Sequence, residues 1–161
     1  MKRRTLILSS IAIALSACAS FGGASKDIPA VASARPELST FNSLVASAGL
    51  GDTLSGNGPY TVFAPTDEAF AAVPAKTLAE LKADPARLKA VLSYHVVAGK
   101  LGSADIKPGE LAAVSGDKLT VEKAGSFLGL NGVAVVTTPD VVASNGVIQV
   151  IDSVLLPPAK K

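Results

Sequence analysis

Apolar residues at helical spacing mark three short segments in the first half of the chain. The first segment begins after Ser39, which can cap a helix that ends near Gly49. Its apolar face is formed by Phe41, Leu44, Val45 and Ala48. Thr77 and Glu80 have the spacing of a capping box at the start of a second helix. The Asp84-Pro85 pair is typical of the start of a third helix, whose inner face comprises Leu88, Val91 and Leu92.

Strand patterns dominate the second half of the chain, although one short strand comes earlier. That early strand is Tyr60–Ala64, and Thr66 then caps a brief helix. Ser115-Gly116-Asp117 and Asn131-Gly132 lie between apolar runs and predict two hairpins. The last run, residues 147–154, is apolar on both sides and is therefore expected to be a central strand. Helices first and strands later indicate an α+β fold, with helices packed against a β-sandwich.

The first 17 residues differ from this pattern and have the organisation of a secretory signal. Basic residues at positions 2–4 precede an apolar run, residues 6–15, that is too short to span a membrane. The run ends in Leu15-Ser16-Ala17-Cys18, which is similar to the lipobox of bacterial lipoproteins. We therefore predict a lipoprotein signal peptide that is removed before a lipidated Cys18. Ordinary secretion is the alternative, because Ala17-Cys18-Ala19 also fits a small-x-small cleavage site.

The sequence after the signal peptide (residues 1–17) divides into a tether, one domain and a short tail. Residues 18–30 comprise the lipidated Cys18 and a flexible tether that contains Gly and Ser. Residues 31–157 are expected to form a single domain, and residues 158–161 a polar tail. Because Cys18 is the only cysteine, its acylation leaves no thiol for a disulfide, a metal ion or catalysis.

Charge and the lack of catalytic motifs argue against several functions. Cleavage of the signal peptide removes three of the 15 basic side chains and leaves 12 against 13 acidic ones, so nucleic-acid binding has no strong electrostatic basis. The sequence contains neither a Gly-x-Ser-x-Gly elbow nor a phosphate-binding Gly-x-x-x-x-Gly-Lys loop. One histidine and one acylated cysteine cannot form the familiar zinc sites. We therefore predict no enzymatic activity, no cofactor and no bound metal.

Three blocks of the sequence resemble the signature blocks of the fasciclin domain. They are residues 58–70 (GPYTVFAPTDEAF), residues 94–97 (YHVV) and residues 143–157 (ASNGVIQVIDSVLLP). The blocks occur in the order and at about the spacing of the family, and the likeness covers residues 27–157. The resemblance implies a wedge-shaped β-sandwich with a flanking layer of short helices, in an extracellular adhesion or binding module. One departure is Gln149, which stands where many members carry a histidine in the closing strand.

The central block and one later residue supply the candidate partner-binding residues. In animal members of the family, the tyrosine and nearby branched aliphatic residues are associated with integrin binding, which marks Tyr94, Val96 and Val97 here. Asp140 is a further candidate, because a family adhesion motif falls near it in a loop between strands. His95 completes the set, although its position on the apolar face of the third helix favours a buried ring over a ligand. Tyr94 is then expected to lie closer to solvent.

Other polar and aromatic residues have purely structural interpretations. Phe63 and Phe70 are expected in the core. Asp152 lies in an apolar strand, so we expect a buried carboxylate with a hydrogen-bonding partner. Asn145-Gly146 is predicted to be a tight turn without a further role.

These observations predict an extracytoplasmic, lipid-anchored adhesion module that binds a protein or glycan partner, as a monomer or a weak homophilic dimer. Ala19 is not the aspartate that retains lipoproteins in the inner membrane of Gram-negative bacteria, which favours the outer membrane in such a host. Two alternatives stay open. One is a small-ligand-binding envelope protein with a cleft between helices and sheet. The other is a hydrolase, which requires an exposed His95 beside a serine or a carboxylate.

Overall fold

The computed structural model describes residues 26–56 and 58–157, which form short helices and a seven-stranded sheet. The helices are α1 (Ile28–Ser33), α2 (Ser39–Ser47), α3 (Gly51–Leu54), α4 (Asp67–Ala72), α5 (Ala75–Ala83) and α6 (Pro85–Tyr94), with a 3₁₀ turn at Pro36–Leu38. The strands are β1 (Tyr60–Pro65), β2 (Val96–Ala98), β3 (Gly109–Ala112), β4 (Lys118–Ala124), β5 (Phe127–Leu130), β6 (Ala134–Ala143) and β7 (Gly146–Ile151).

The sheet is mixed and nearly closes on itself. Its strand order is β2-β1-β7-β6-β5-β4-β3, with β1 and β7 parallel and the other neighbours antiparallel. The long strand β6 belongs to both halves of the sheet, because it pairs with β7 and with β5. A bridge between Val97 and Ala113 brings the two outer strands together, and Val114 N donates to Val96 O at 2.7 Å. The prediction of an α+β fold is confirmed.

Two apolar cores lie on opposite sides of β1 and β7. Val62 and Ile148 face the helices, where they pack with residues such as Phe41 and Leu92. Phe63 and Ile151 belong to a second core inside the curved sheet, which includes Tyr94, Val97, Ile106, Leu119, Leu128 and Leu130. Every residue of β7 is buried, which confirms the prediction of a central strand. The strand ends at Ile151, three residues earlier than the sequence pattern predicts.

Asp152, just beyond that strand, is exposed, so the prediction of a buried carboxylate is wrong. Its hydrogen-bonding partner does exist. The carboxylate accepts from Val135 N at 2.9 Å, and Asp152 N donates to Val135 O at 3.1 Å. The residue therefore fastens the end of β7 to β6 at the surface.

Local capping signals predict some helix starts and fail at others. Thr66 and Asp84 cap α4 and α6 through their side-chain oxygens, as predicted. Ser39 is instead the first residue of α2. The cap comes from Asp67, whose carboxylate accepts from the Ser39 hydroxyl and from Thr40 N. Thr77 lies inside α5, so the capping box there is wrong. Asp67 therefore caps a helix 27 residues earlier in the chain.

The folded region begins before the boundary predicted at residue 31. Ile28 starts helix α1 and is fully buried, so the tether cannot extend to Ala30. Ile28 N donates to Asn145 Oδ1 at 3.0 Å, while Asn145 Nδ2 donates to the carbonyl oxygens of Leu54 and Gly56. Asn145 is thus more than a turn residue, because it joins α1 and the end of α3 to the β6–β7 turn.

Gly146 lies where β7 packs tightly against the backbone of β1. A Cβ atom there would lie 1.9 Å from Tyr60 O and 2.9 Å from Ile28 Cδ1. Gly146→Ala should lower the free energy of unfolding by roughly 4 kcal/mol or more, because the parallel strands must separate to admit the methyl group. Gly51→Ala is the matched control, since nothing lies within 4 Å of its added Cβ. Urea denaturation measures the free energy of unfolding of both variants, and equal values for Gly146→Ala and Gly51→Ala would contradict the close approach.

Candidate partner-binding surface

The central sequence block lies in the core. Tyr94, His95, Val96 and Val97 are at most 4% exposed, so none of them offers a surface to a partner in this conformation. The expectation that Tyr94 lies near solvent is wrong, because its ring belongs to the core inside the sheet. Its hydroxyl donates to Lys118 O at 3.0 Å and accepts from Asn131 Nδ2 at 2.7 Å. Tyr94 therefore connects the end of α6 to β4 and to the β5–β6 turn.

His95 is buried, as its position on the helix predicts, and both ring nitrogens have main-chain partners. Nδ1 lies 2.8 Å from Val91 O, and Leu155 N donates to Nε2 at 3.0 Å. This arrangement requires a neutral ring with its proton on Nδ1. Burial lowers the pKa of His95 to about 4, although the bond to Val91 opposes the shift. The hydrolase alternative is overturned, because it requires an exposed His95 beside a serine or a carboxylate.

Asp140 is the one exposed member of the candidate set, and it lies within strand β6 rather than in a loop. Thr138 pairs with Val150 and Val141 pairs with Ile148, so two residues, Pro139 and Asp140, stand opposite Gln149. This is a β-bulge, and the backbone of Asp140 has a positive φ of 56°. The bulge separates this part of β6 from the regular hydrogen bonding of the sheet.

The carboxylate of Asp140 points back into the molecule. Its Oδ1 accepts from Ser103 N at 2.6 Å and from Gln149 Nε2 at 3.1 Å, and its Oδ2 accepts from the hydroxyl of Ser103. Burial raises the pKa of Asp140, but the bonds from Ser103 and Gln149 together with the Lys123 ammonium outweigh it, so the pKa lies below its usual value. Asp140 therefore fixes the bulge to the segment between β2 and β3.

Gln149 anchors this cluster from inside the sheet. Its side chain is fully buried in β7, and its Oε1 accepts from Asp140 N at 3.1 Å. Its Nε2 also lies 3.4 Å from Leu101 O, to which it donates. The exposed Lys123 places its ammonium group beside the cluster, where Nζ donates to Ser103 O at 3.0 Å. The sequence marks Gln149 only as a departure from the family pattern and indicates no contact with Asp140.

Exposed apolar side chains concentrate on β6 and the hairpin that leads into it. Among the described residues, the exposed large hydrophobic side chains are Val114, Phe127, Val133, Val135, Val142 and Leu156, and four of these six belong to this region. Phe127, Val133 and Val142 are 69%, 66% and 65% exposed. Thr137, Thr138 and Pro139 lie between them along the strand and are also exposed. We call Phe127, Val133, Val135, residues 137–140 and Val142 the β6 surface.

Apart from Asp140, the residues of the β6 surface were not among the sequence-derived candidates. Phe127, Val133 and Val142 are apolar residues in strand patterns, and the same signal marks core residues such as Leu128 and Leu130. Only the pairing of β6 with its neighbours decides which of these side chains points outward.

A groove lies between α5, α6 and the β3–β4 turn. It is an open groove of about 660 Å³ with an apolar side formed by Leu81, Val91 and Leu156. Arg87 and Glu80 lie at its rim, 3.9 Å apart. The groove has the size of a ligand site and lies between helices and sheet, as the small-ligand alternative requires.

Other chemical features fall outside the described residues or are not found within them. Cys18 and the signal peptide lie outside the described residues. Within residues 26–56 and 58–157, no three side chains of the His, Cys, Asp or Glu type form a group that could hold a metal ion. In the same part of the chain, no helix has the length and apolar character needed to cross a membrane.

Comparison with known families agrees with this architecture. The family model of the fasciclin domain matches residues 36–157, which is most of the chain. The chain therefore belongs to the fasciclin-domain family.

Similar proteins include cell-surface and adhesion proteins. Protein sll1483 of Synechocystis sp. is 44% identical over 130 residues, which cover 80% of this chain and 72% of that protein. The cell surface glycolipoprotein MPB83 of Mycobacterium bovis is 39% identical over 144 residues, covering 86% and 64% of the two chains. The FAS1 domain pair of the insect cell adhesion molecule fasciclin I has the same fold, with a TM-score of 0.65 and 20% identity over 81% of this chain. The chain spans about half of that structure (51%).

The buried histidine makes the stability of the fold depend on pH. Because the pKa of His95 falls from 6.5 in the unfolded chain to about 4 in the fold, its contribution is complete above pH 6.5. As the pH falls from 6.5 towards 4, the free energy of unfolding decreases by about 3 kcal/mol on account of this residue. His95→Asn does not titrate in this range and should flatten that part of the profile. Urea denaturation at pH 7 and pH 4.5 measures this, and parallel profiles for the two proteins would contradict it.

Proposed function

We propose that this protein is an extracytoplasmic binding module, anchored by a lipid on Cys18, whose β6 surface binds a protein or glycan partner. The observation that carries this proposal is the concentration of exposed apolar side chains on β6 and its hairpin. Exposed apolar side chains that cluster on one element are typical of interaction sites, whereas scattered ones are not. Relationship to a cell adhesion molecule and to a cell surface glycolipoprotein supports the same class of function.

The composition of the β6 surface suits a protein or a glycan. Phe127 and Val135, which point to the same side of the sheet, provide apolar contact area together with Val133, while Thr138 provides a hydroxyl group for hydrogen bonds. Asp140 is the only charged residue of the surface, and its carboxylate is already bonded within the molecule. A nucleic-acid partner would meet no cation there to neutralise its phosphates.

The position of the anchor favours the display of this surface. Lys26, the first described residue, accepts a hydrogen bond from Ser144 N at 2.9 Å through its main-chain oxygen, at the β6–β7 turn. The tether therefore enters at one end of β6, and Phe127 and Val133 lie at the other end. Ten residues of strand separate these ends by about 30 Å. The β5–β6 hairpin is therefore the end of β6 that lies farthest from the tether.

A second candidate function is supported by the groove between α5, α6 and the β3–β4 turn. Its size and its mixture of apolar and charged residues suit a small amphipathic ligand. The β6 surface remains the better candidate, because it holds four of the six exposed large hydrophobic side chains among the described residues, whereas only Leu156 of these lines the groove.

The anchor is tested by intact-mass spectrometry and envelope fractionation of the native protein and of Cys18→Ala. We expect a mature chain that begins at an acylated Cys18 and pellets with membranes, and a variant that does not. The reason is that the acyl chains supply the membrane affinity. A soluble native chain that begins at Ser20 would instead establish ordinary secretion.

The binding surface is tested by photo-crosslinking on intact envelopes. A photoreactive amino acid at position 127 or 138 should give a discrete adduct, whereas the exposed positions Lys76 and Lys107 should not. Phe127→Ser combined with Val135→Ser should reduce the adduct at position 138 at least tenfold and leave the melting temperature within a few degrees, since both side chains are exposed. Equal adducts at all four positions would contradict a specific surface.

A further inference from the structure

We infer that Gln149 is a positioning residue that holds the β6 bulge in its presented conformation and thereby controls binding by the β6 surface. The effect on binding rests on the function proposed above. The effect on the bulge does not, and it can be measured in the isolated protein.

The surroundings of Gln149 make its polarity unusual. It is fully buried in a strand whose other residues are Gly146, Val147, Ile148, Val150 and Ile151. A buried amide in such a strand is costly unless its polar atoms are bonded. Both ends of this amide are bonded, and every partner lies in one of two surface segments, at Leu101 or Asp140.

The bulge creates the need for this side chain. Regular pairing between β6 and β7 is interrupted between Thr138 and Val141, so the amide of Asp140 has no place in the ladder. Gln149 Oε1 accepts from that amide and replaces the missing strand partner. The positive φ of Asp140 is an unfavourable conformation for a residue with a side chain, and it persists only where surrounding bonds hold it.

The same amide group also fixes the neighbouring segment. Gln149 Nε2 donates to Leu101 O, and Leu101 N donates to the buried hydroxyl of Thr61 at 2.8 Å. Ser103, two residues later, donates twice to the carboxylate of Asp140. The bulge and residues 99–103 therefore form one unit, and among the described residues Gln149 is the side chain of β7 that hydrogen-bonds to it.

The donor and the acceptor of this amide are both needed. Glutamate at position 149 keeps the acceptor for Asp140 N when ionised, but it replaces the donor to Asp140 Oδ1 by a second negative charge. Protonation of that glutamate restores a donor. The charged groups near this position are Asp140, Lys123 and Asp105, and in the native protein the pKa of Asp140 lies below its usual value.

The test compares the native protein with Gln149→Glu, Gln149→Met and the control Ile148→Val. The first readout is the protection factor for hydrogen exchange at the amides of Asp140 and Ser103, at pH 7.5 and pH 5. In Gln149→Glu it should fall at least tenfold at pH 7.5 and recover at pH 5. In Gln149→Met it should stay low at both pH values, because methionine has neither group. Ile148→Val changes the helix-facing core and should leave these amides at native protection.

The second readout is the yield of the photo-crosslink from position 138, which should follow the same pattern of loss and acid rescue. Native protection at Asp140 in both Gln149 variants would overturn the inference, whatever the crosslinks show. Reduced protection with an unchanged crosslink yield would overturn the control of binding. If the native protein gives no specific crosslink, the proposed function fails while the exchange data still decide the role of Gln149 in the bulge.

Discussion

The parallel pairing of β1 with β7 is the constraint on which the rest of the structure depends. It brings the first strand of the domain against the last, with 85 residues between the paired Tyr60 and Gly146. Both strands are buried on both sides, one side facing the helices and the other facing the interior of the sheet. Parallel strands of this kind are buried on both faces by other elements. The helices cover one face of β1 and β7, and the β3–β6 strands cover the other, so both must be in place. The bare Cα of Gly146 is what allows the two backbones to approach at the start of this pair.

Two buried polar side chains, His95 and Gln149, hold segments of the chain that lie next to this strand pair. His95 ends helix α6 and accepts from Leu155 N, so it holds the chain that leaves β7. Gln149 holds the bulge of β6, which would otherwise lack hydrogen-bonding partners. In both cases one buried polar side chain binds main-chain groups that lack a partner in the regular hydrogen bonding of the sheet, Leu155 N for His95 and Asp140 N for Gln149. The two side chains differ in the segment that they hold. His95 binds the buried segment at Leu155, whereas Gln149 supports the exposed bulge of β6.

Local sequence signals predicted several features in which the interaction spans a few residues, although the caps predicted at Ser39 and Thr77 were wrong. Thr66, Asp84 and the Asn131-Gly132 turn act as their patterns indicate, and Asn131 and Gly132 have the positive φ values that such a turn needs. The candidate site was predicted less well. Tyr94 was expected near solvent and lies in the core, while Asp140 was placed in a loop and lies in a bulged strand. The family resemblance marked Asp140, but it gave no signal that Phe127, Val133 and Val142 are exposed apolar residues.

The sequence by itself determined the fold family, the division into a mainly helical first half and a stranded second half, the burial of β7 and of His95, and the caps made by Thr66 and Asp84. These features depend on side-chain pattern within one element, which periodicity and short-range hydrogen bonding reveal. The tertiary structure alone decided that Asp67 caps a helix 27 residues away, that Asn145 joins α1 to the sheet, and that Gln149 supports Asp140. It also decided which valines face solvent. The physical reason is that these outcomes depend on strand register and on distant partners, and a shift of one residue exchanges the two sides of a strand.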